Sequence, residues 1–495
     1  MTNNNIIDVY FSDFFEVSSE TVEKYGAFNV SLLADLPLFI DPFLLFNSKK
    51  KSYCQLHDKI IAYLMFLRDK SVDEALSSGL VNAWYRFPEV KQNWLGFSAT
   101  GNHGSGLGKD FAIALHRNLH RIFTDFGDER VTLGSHLEKL CLIEQGVGRD
   151  NISDFTTNLI HEFLLEYTQA FAKKHIDPKL RKKFVVSKVR FNYDTETWEN
   201  GVYDLPNFRG DYVLLTPSDI LTKDDTWINR PELLERFEKL PAAIENEQLR
   251  AQVNNYFLKQ LPRDPKQRKA KKYRQAAAAA TINEFPEIID YYIRSKEERG
   301  DEAEDLSMAK VEESRDLYII QLRQLVKDLA AATNFYKIGG DTYEEAMERV
   351  LFLKDIIENK DGYRVFYLKG HPIEREEDLQ ILYRLTWRGT PSDVNREVNN
   401  GRGPVDYKVS RGGADKTLVE FKLATNSQLK RNLANQVAIY EKANDTKKSI
   451  KVILYFTRAD LNRVQKILRE LKLTDDPNIV LIDARRDNKP SASKA

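Results

Sequence analysis

Three residues near the C-terminal end have types and spacing suited to phosphoryl chemistry: Asp406, Glu420 and Lys422. In an extended segment KTLVEFKLA (416–424), side chains alternate, so Glu420 and Lys422 share one face and Val419, Phe421 and Leu423 the other. The apolar three anchor the strand, which leaves a carboxylate and an ammonium side by side on the polar face. Asp406, in the preceding strand GPVDYKVS (403–410), falls opposite or diagonal to Glu420 when Gly412-Gly413 turns the chain back as a hairpin. Two hard carboxylates, with a backbone carbonyl and water, suit Mg2+, which polarises a phosphoryl oxygen and lowers the pKa of a bound water. Lys422 then positions that water or stabilises charge building on the phosphate. An acid-x-Lys pair alone is commonly a solvated ion pair. The longer run points to a site: an acid after Pro404-Val405, a glycine turn, an apolar-flanked Glu-x-Lys strand, a helix and a buried strand.

The elements that must position these residues are legible around them. HPIEREEDLQILYRLTW (371–387) reads as an amphipathic helix with an acidic first turn, and NSQLKRNLANQVAIYEKA (426–443) as a second helix. KVILYFT (451–457) reads as a buried strand, 458–472 as a basic helix, and NIVLIDA (478–484) as a last strand. In this setting Pro404-Val405-Asp406 with Glu420-Phe421-Lys422 resembles the PD-(D/E)XK motif of restriction-endonuclease-like phosphodiesterases, although the Asp stands two positions after the Pro. The resemblance spans roughly residues 370–457 and implies an αβββαβ core, acids binding Mg2+ or Mn2+, and hydrolysis of DNA phosphodiester bonds. Gln436 and Tyr440, at i and i+4 on the following helix, are similar to the Gln-x-x-x-Tyr signature of the RecB-like branch, where such residues support the site or touch DNA. A core Tyr with a Gln at its edge has the same spacing. The family often adds an acid from its first helix. Among Glu374, Glu377 and Asp378, Glu377 is the choice as a further metal ligand, because it shares a face with Ile381 and Arg384. Acids in a first turn also complement the helix dipole.

The whole chain is long enough for several domains, with 495 residues and 42% apolar content. Its net charge is zero, but residues 401–495 hold 20 basic against 11 acidic residues, so a surface for DNA phosphates would be local to this end. Two cysteines, Cys54 and Cys141, fit no metal-ligand spacing and suit a reducing cytoplasm. The beginning of the chain carries no signal-peptide pattern. The most apolar stretch, 28–46, is interrupted by Asp35, Pro37, Asp41 and Pro42, so no membrane span is expected.

The expected fold is α/β overall, in three parts: a mixed α+β region (1–230) for sensing or regulation, a mostly helical region (231–340), and the nuclease-like domain (341–495). In the first part, 57–69 and 111–123 read as helices, 183–193 and 211–217 as strands, and NFRGD as a turn. YRVFYLK (363–369) reads as a short strand. GNHGSGLGKD (101–110) lacks the spacing and hydroxyl of a Walker loop, and His116 and His120 lack the glutamate of a zincin helix. Arg149, Asp150, Ser153 and Asp154 read as a capping segment ahead of a helix, with anion binding the lesser option. RDPKQRKAKKYR (263–274) reads as a solvated basic helix face, with nucleic-acid contact the lesser option.

The expected activity is that of a metal-dependent endo- or exodeoxyribonuclease in prokaryotic genome defence. With no ATPase motif in the chain, the reading leaves room for a partner ATPase or sensor subunit and for a homo-oligomer. The alternatives are a nucleic-acid-binding or scaffold subunit with weak catalysis, and an RNA-directed nuclease.

Overall fold

A computed structural model describes the chain outside residues 1–8, 74–75, 97–111, 114, 117–118, 120–125, 128, 144–147, 224, 337–338, 388–391, 396–406, 412–414, 437–445, 447 and 490–495, and every absence stated below concerns the described residues. The architecture is mixed α/β. Helix α1 (Lys51–Lys70) buries Tyr53, Leu56, Ile60, Tyr63, Leu64 and Leu67 at helical spacing, with Arg68 and Lys70 at its carbonyl end, where cations are favoured. Helix α2 (Arg149–Leu159) starts one residue after Gly148, whose N–H is capped by Asn151 Oδ1 at 2.9 Å. Arg149, Asp150, Ser153 and Asp154 therefore lie inside the helix, not ahead of it. Helix α3 (His161–His175) follows. His116 packs edge-on to Tyr85 at 5.1 Å; His120 and the segment GNHGSGLGKD lie outside the described residues.

Strands β1 (Arg181–Asn192) and β2 (Thr197–Phe208) form a long antiparallel hairpin with an irregularity between Val186 and Arg190. The expected strand 211–217 shrinks to Asp211–Tyr212, which pairs with the end of β2 across the turn at Arg209-Gly210. Beyond it the chain is buried but irregular, and the Leu214 N–H bonds Gln92 O at 2.8 Å.

The helical stretch comprises α4 (Glu247–Gln260), α5 (Lys271–Glu284), α6 (Ile288–Glu297), α7 (Gly300–Arg315) and α8 (Leu322–Ala332), with a break after α4 at Leu261-Pro262. Residues 263–273 of the basic run are exposed, and Lys271 and Arg274 pair with Glu235 and Glu238. Helix α7 runs into α8 through a wide i→i+5 turn, Asp316–Gln321. There the Tyr318 carbonyl accepts from Tyr10 Oη, and Tyr318 Oη donates to Asp378.

Helix α9 (Thr342–Asn359) is capped by Asp341, whose carboxylate accepts from the N–H groups of Tyr343 (2.8 Å) and Glu344 (2.9 Å). The expected strand 363–369 is a tight turn, Gly362–Phe366, followed by the two-residue strand Tyr367–Leu368, paired with His371–Pro372. Left-handed backbone at Asp361 and at Gly370 reverses the chain at both ends and leaves no room for a longer strand. Helix α10 (Glu376–Thr386) leads into β3 (Asp393–Asn395), β4 (Tyr407–Arg411), β5 (Asp415–Leu423), β6 (Ser449–Tyr455), α11 (Arg458–Glu470) and β7 (Ile479–Asp483). The sheet order is β7-β6-β5-β4-β3; β3, β4 and β5 are antiparallel neighbours, and β5, β6 and β7 run parallel. Helices α9 and α10 cover one face. On the other, Leu461, Val464 and Leu468 of α11 with Leu429 and Leu433 bury Ile453 and Tyr455. No described helix is long and apolar enough to cross a membrane.

One buried ion cluster fixes α9 to the sheet. Glu345 and Arg349 are both fully buried, one turn apart. Glu345 Oε1 accepts from Arg349 Nη2 (3.0 Å), and its Oε2 accepts from Arg411 Nη2 of β4 (2.6 Å) and Ser392 Oγ (2.6 Å). The Arg349 guanidinium lies 4.8 Å from the ring centres of both Phe335 and Trp387. Removing one partner strands the other charge, so Glu345→Gln is expected to destabilise the fold by about 3–5 kcal/mol in denaturant unfolding. Glu345→Leu with Arg349→Met is expected to recover most of that loss; a double variant as unstable as the single would show that the charges themselves are not the cause.

His57 in α1 is buried against Phe46, and burial, with His136 beside it, pushes its imidazole down to about 3. Once unfolded, His57 takes up a proton below its ordinary value of 6.5, so folding stability from this site is lost as pH falls below that value. Relative to His57→Leu, the wild type should lose roughly 1.4 kcal/mol per pH unit between pH 6 and about 4. Parallel pH profiles of the two proteins would show that the imidazole is charged in the fold.

Candidate active site on strand β5

Strand β5 is flanked on both sides, but unequally. Its pairing with β4 runs from Asp415↔Arg411 to Val419↔Tyr407, whereas β6 accompanies it from Leu418 to Leu423. Val419, Phe421 and Leu423 enter the main core, where the Phe421 ring stands 4.3 Å from that of Tyr383 in α10. Alternation sends Glu420 and Lys422 to the opposite face, the one on which Ile453, the register partner of Lys422, is buried. Both polar residues are nearly closed off from solvent, at 8% and 9% exposure.

Glu376, the first residue of α10, ties this region together. Its Oε2 lies 3.4 Å from Lys422 Nζ. Its Oε1 accepts from the Leu423 N–H at 3.2 Å and from Asn426 Nδ2 at 2.7 Å. One carboxylate thus orients the lysine, satisfies a strand amide and holds the turn that follows β5. Arg463 of α11 secures the same turn from the other side, donating to the carbonyls of Ala424 and Asn426, both at 2.7 Å. Tyr407 Oη donates to the Gln380 carbonyl, which ties β4 to α10.

Glu420 and Lys422 stand two residues apart on β5, both buried. Asp406 lies outside the described residues; it precedes Tyr407 in the chain just as Glu420 follows Val419, the partner of Tyr407. Gln436 ends the helical segment that begins at Leu429–Arg431 and widens to an i→i+5 turn over Asn432–Gln436; its side chain and all of Tyr440 lie outside the described residues. Glu377 does not meet Lys422. Its charge acts on Asp150 of α2 and on Tyr318, on the other side of α10.

Glu376, the acid that does reach Lys422, was not among the expected residues: Asp378 to Tyr383 are all buried, so α10 offers no solvent side from which to count faces. Lys451 was also missed. It is buried, stands directly across from Glu420 in the β5–β6 register, and donates to Ser449 Oγ at 2.9 Å. Its position as the first residue of KVILYFT was a usable signal only once the register was known.

Residues 16–229 match the model of a family described as a domain of unknown function (DUF8370), and residues 342–458 match one described as a domain of unknown function (DUF8371). No protein with a curated description matches the chain, and no solved structure does.

Hydrogen bonds to a charged acceptor contribute about 1.5–3 kcal/mol each, so Glu376→Ala is expected to speed hydrogen exchange at the Leu423 amide by about tenfold or more. Amide exchange read by mass spectrometry checks this, and an unchanged Leu423 rate would mean that β5 needs no help from α10.

Proposed function

We propose that residues 341–495 form a Mg2+- or Mn2+-dependent nuclease of the PD-(D/E)XK type that hydrolyses DNA phosphodiester bonds, with Asp406, Glu420 and Lys422 as catalytic residues and Gln436 and Tyr440 beside them. The observation that carries this reading is the Glu420–Lys422 pair: a carboxylate and an ammonium, buried on one face of a central strand beyond its last described contact with β4, with Glu376 aligning the ammonium. The element order, helix, three antiparallel strands, helical segment and parallel strand, supports this reading.

The donor chemistry fits a hard divalent cation. Among the described residues no three His, Cys, Asp or Glu side chains form a complete set, and Mg2+ commonly takes one or two carboxylates and keeps its waters. Glu420 supplies one, and Asp406 is placed by sequence to supply the other. The ion, when bound, lowers the pKa of a water and neutralises phosphate charge. Lys422, fixed in direction by Glu376, would present its ammonium to the scissile phosphate without having to reorganise. Lys451 adds a second buried ammonium on the same face. Residues 1–340 would sense or regulate, a division that suits genome defence.

The test is incubation of the full chain with plasmid, linear duplex, single-stranded DNA and RNA in Mg2+, Mn2+ or EDTA. Metal-dependent cleavage of DNA is expected, falling by about a hundredfold or more in each of Asp406→Ala, Glu420→Ala and Lys422→Ala. Cleavage that persists in Glu420→Ala and Lys422→Ala removes these residues from the mechanism. Cleavage of RNA alone changes the substrate, and metal-insensitive binding without cleavage leaves a nucleic-acid grip.

A further inference from the structure

The run that joins α4 to α5, from Arg263 to Arg274, carries its charge where the fold gains little from it. It holds seven basic residues and one acid, and residues 263–273 are all exposed. The acid, Asp264, is committed to the backbone: its Oδ1 accepts from the Lys266 N–H at 3.0 Å and caps the short helical turn Pro265–Lys269. Lys271 is held by Glu235 at 3.2 Å, and Arg274 by Glu238. The other five cations, Arg263, Lys266, Arg268, Lys269 and Lys272, have no ion-pair partner among the described residues.

Stability alone does not account for cations in these positions. Lys266 and Lys269 share a helical turn at i and i+3, as do Lys271 and Arg274, and like charges at that spacing repel. The first turn of α5 contains no acid, so the repulsion is not relieved from within the helix. The base of the run is nevertheless firm. Helices α4 and α5 pack together, burying Val253 and Phe257 of one and Ala277, Ala278 and Ile282 of the other. The Arg274 guanidinium lies 6.0 Å from the centre of the Phe257 ring and fastens the end of the run to α4.

A firm base that displays unpaired cations suits an anion from outside the chain. Eleven consecutive exposed residues, 263–273, make a ridge and not a pocket, so the matching anion is extended. The run contains no Val, Leu, Ile, Met, Phe or Trp that could enter a bilayer. Its neutral Gln267 and Tyr273 are hydrogen-bond donors suited to phosphate oxygens, and Tyr273 is 39% exposed. Duplex DNA presents about one phosphate per 1.7 Å of its axis, so it can neutralise several neighbouring cations at once and release its own counterions.

We propose that residues 263–274 are a sequence-independent contact for the phosphate backbone of duplex DNA, made by Arg263, Lys266, Arg268, Lys269 and Lys272. The choice of DNA as the polyanion rests on the nuclease reading of β5, whereas the ridge itself stands on its own charge and exposure. In sequence the contact falls between the two matched family regions, so the helical stretch has a task of its own: it holds DNA apart from the residues that would cut it.

Fluorescence anisotropy of a labelled duplex with the full chain, in EDTA to hold back cleavage and over a range of salt concentrations, tests this. Combining Lys266→Ala, Lys269→Ala and Lys272→Ala is expected to weaken binding by about tenfold or more and to flatten the slope of log affinity against log salt by about three. Combining Lys266→Arg, Lys269→Arg and Lys272→Arg is expected to leave both unchanged, and circular dichroism melting verifies that the two sets fold. The proposal is overturned if the full chain binds no duplex, if the alanine set keeps the affinity and slope of the wild type, if the arginine set binds as weakly as the alanine set, or if phosphatidylserine vesicles are bound and the duplex is not. The β5 reading fails separately: a wild type that binds duplex through these lysines yet cuts no DNA in Mg2+ or Mn2+ loses the nuclease and keeps this contact.

Discussion

Glu345 carries a full negative charge into the interior of the C-terminal half, where three residues from three parts of the chain answer it. Arg349 belongs to the same helix, Arg411 to β4, and Ser392 to the residue just before β3. A charge in a low-dielectric interior must be matched by hydrogen bonds of good geometry, so this one carboxylate fixes how α9 lies on the sheet and where β3 and β4 meet it. Arg349, held between Phe335 and Trp387, extends the constraint to the residue that follows α10. The position of α10 then determines everything on β5 that Glu376 holds.

Helix α10 serves as a wall shared by several rooms. Successive residues of its first turn address different neighbours: Glu376 reaches Lys422 and Leu423, Glu377 acts on Asp150, and Asp378 takes Lys223 and Tyr318. Tyr383, further along, packs on Phe421 and Tyr407. A helix buried on nearly every side cannot shift toward one neighbour without disturbing the rest, because well-packed interiors transmit displacement. The region matched by the first family and the strand that carries Glu420 and Lys422 are therefore mechanically joined through eleven residues.

Strong local patterns made much of this half legible in the sequence. β5, β6 and β7 are apolar runs of strand length, α9 has its cap and its spacing, and the Glu420–Lys422 face follows from period two alone. Elements whose reasons lie elsewhere in the fold were hidden. β3 is short and exists because β4 lends it an edge. β2 carries Gly201 and Pro206 within its twelve residues, and both weaken a strand pattern until β1 is there to pair with it. YRVFYLK has strand composition, but the left-handed residues at its ends impose a turn. Glu376 could not be singled out in the sequence because α10 has no solvent side from which to count, and Lys451 needed a register that no local pattern encodes.

The wide turn at Asp316–Gln321 amounts to one residue inserted into an otherwise continuous rod running from Gly300 to Ala332. An added residue advances the phase of everything after it by roughly 100°. The first half of the rod therefore presents Ala303 and Val311 to the N-terminal region, while the second turns Leu322, Leu325 and Leu329 toward α9 and α10. The insertion works as a gear tooth. A chain one residue shorter here would have a straighter and more regular helix. It would also lose the spare carbonyl that receives Tyr10 and aim its second half at the wrong partner, so local irregularity is what keeps the two halves of this molecule in step.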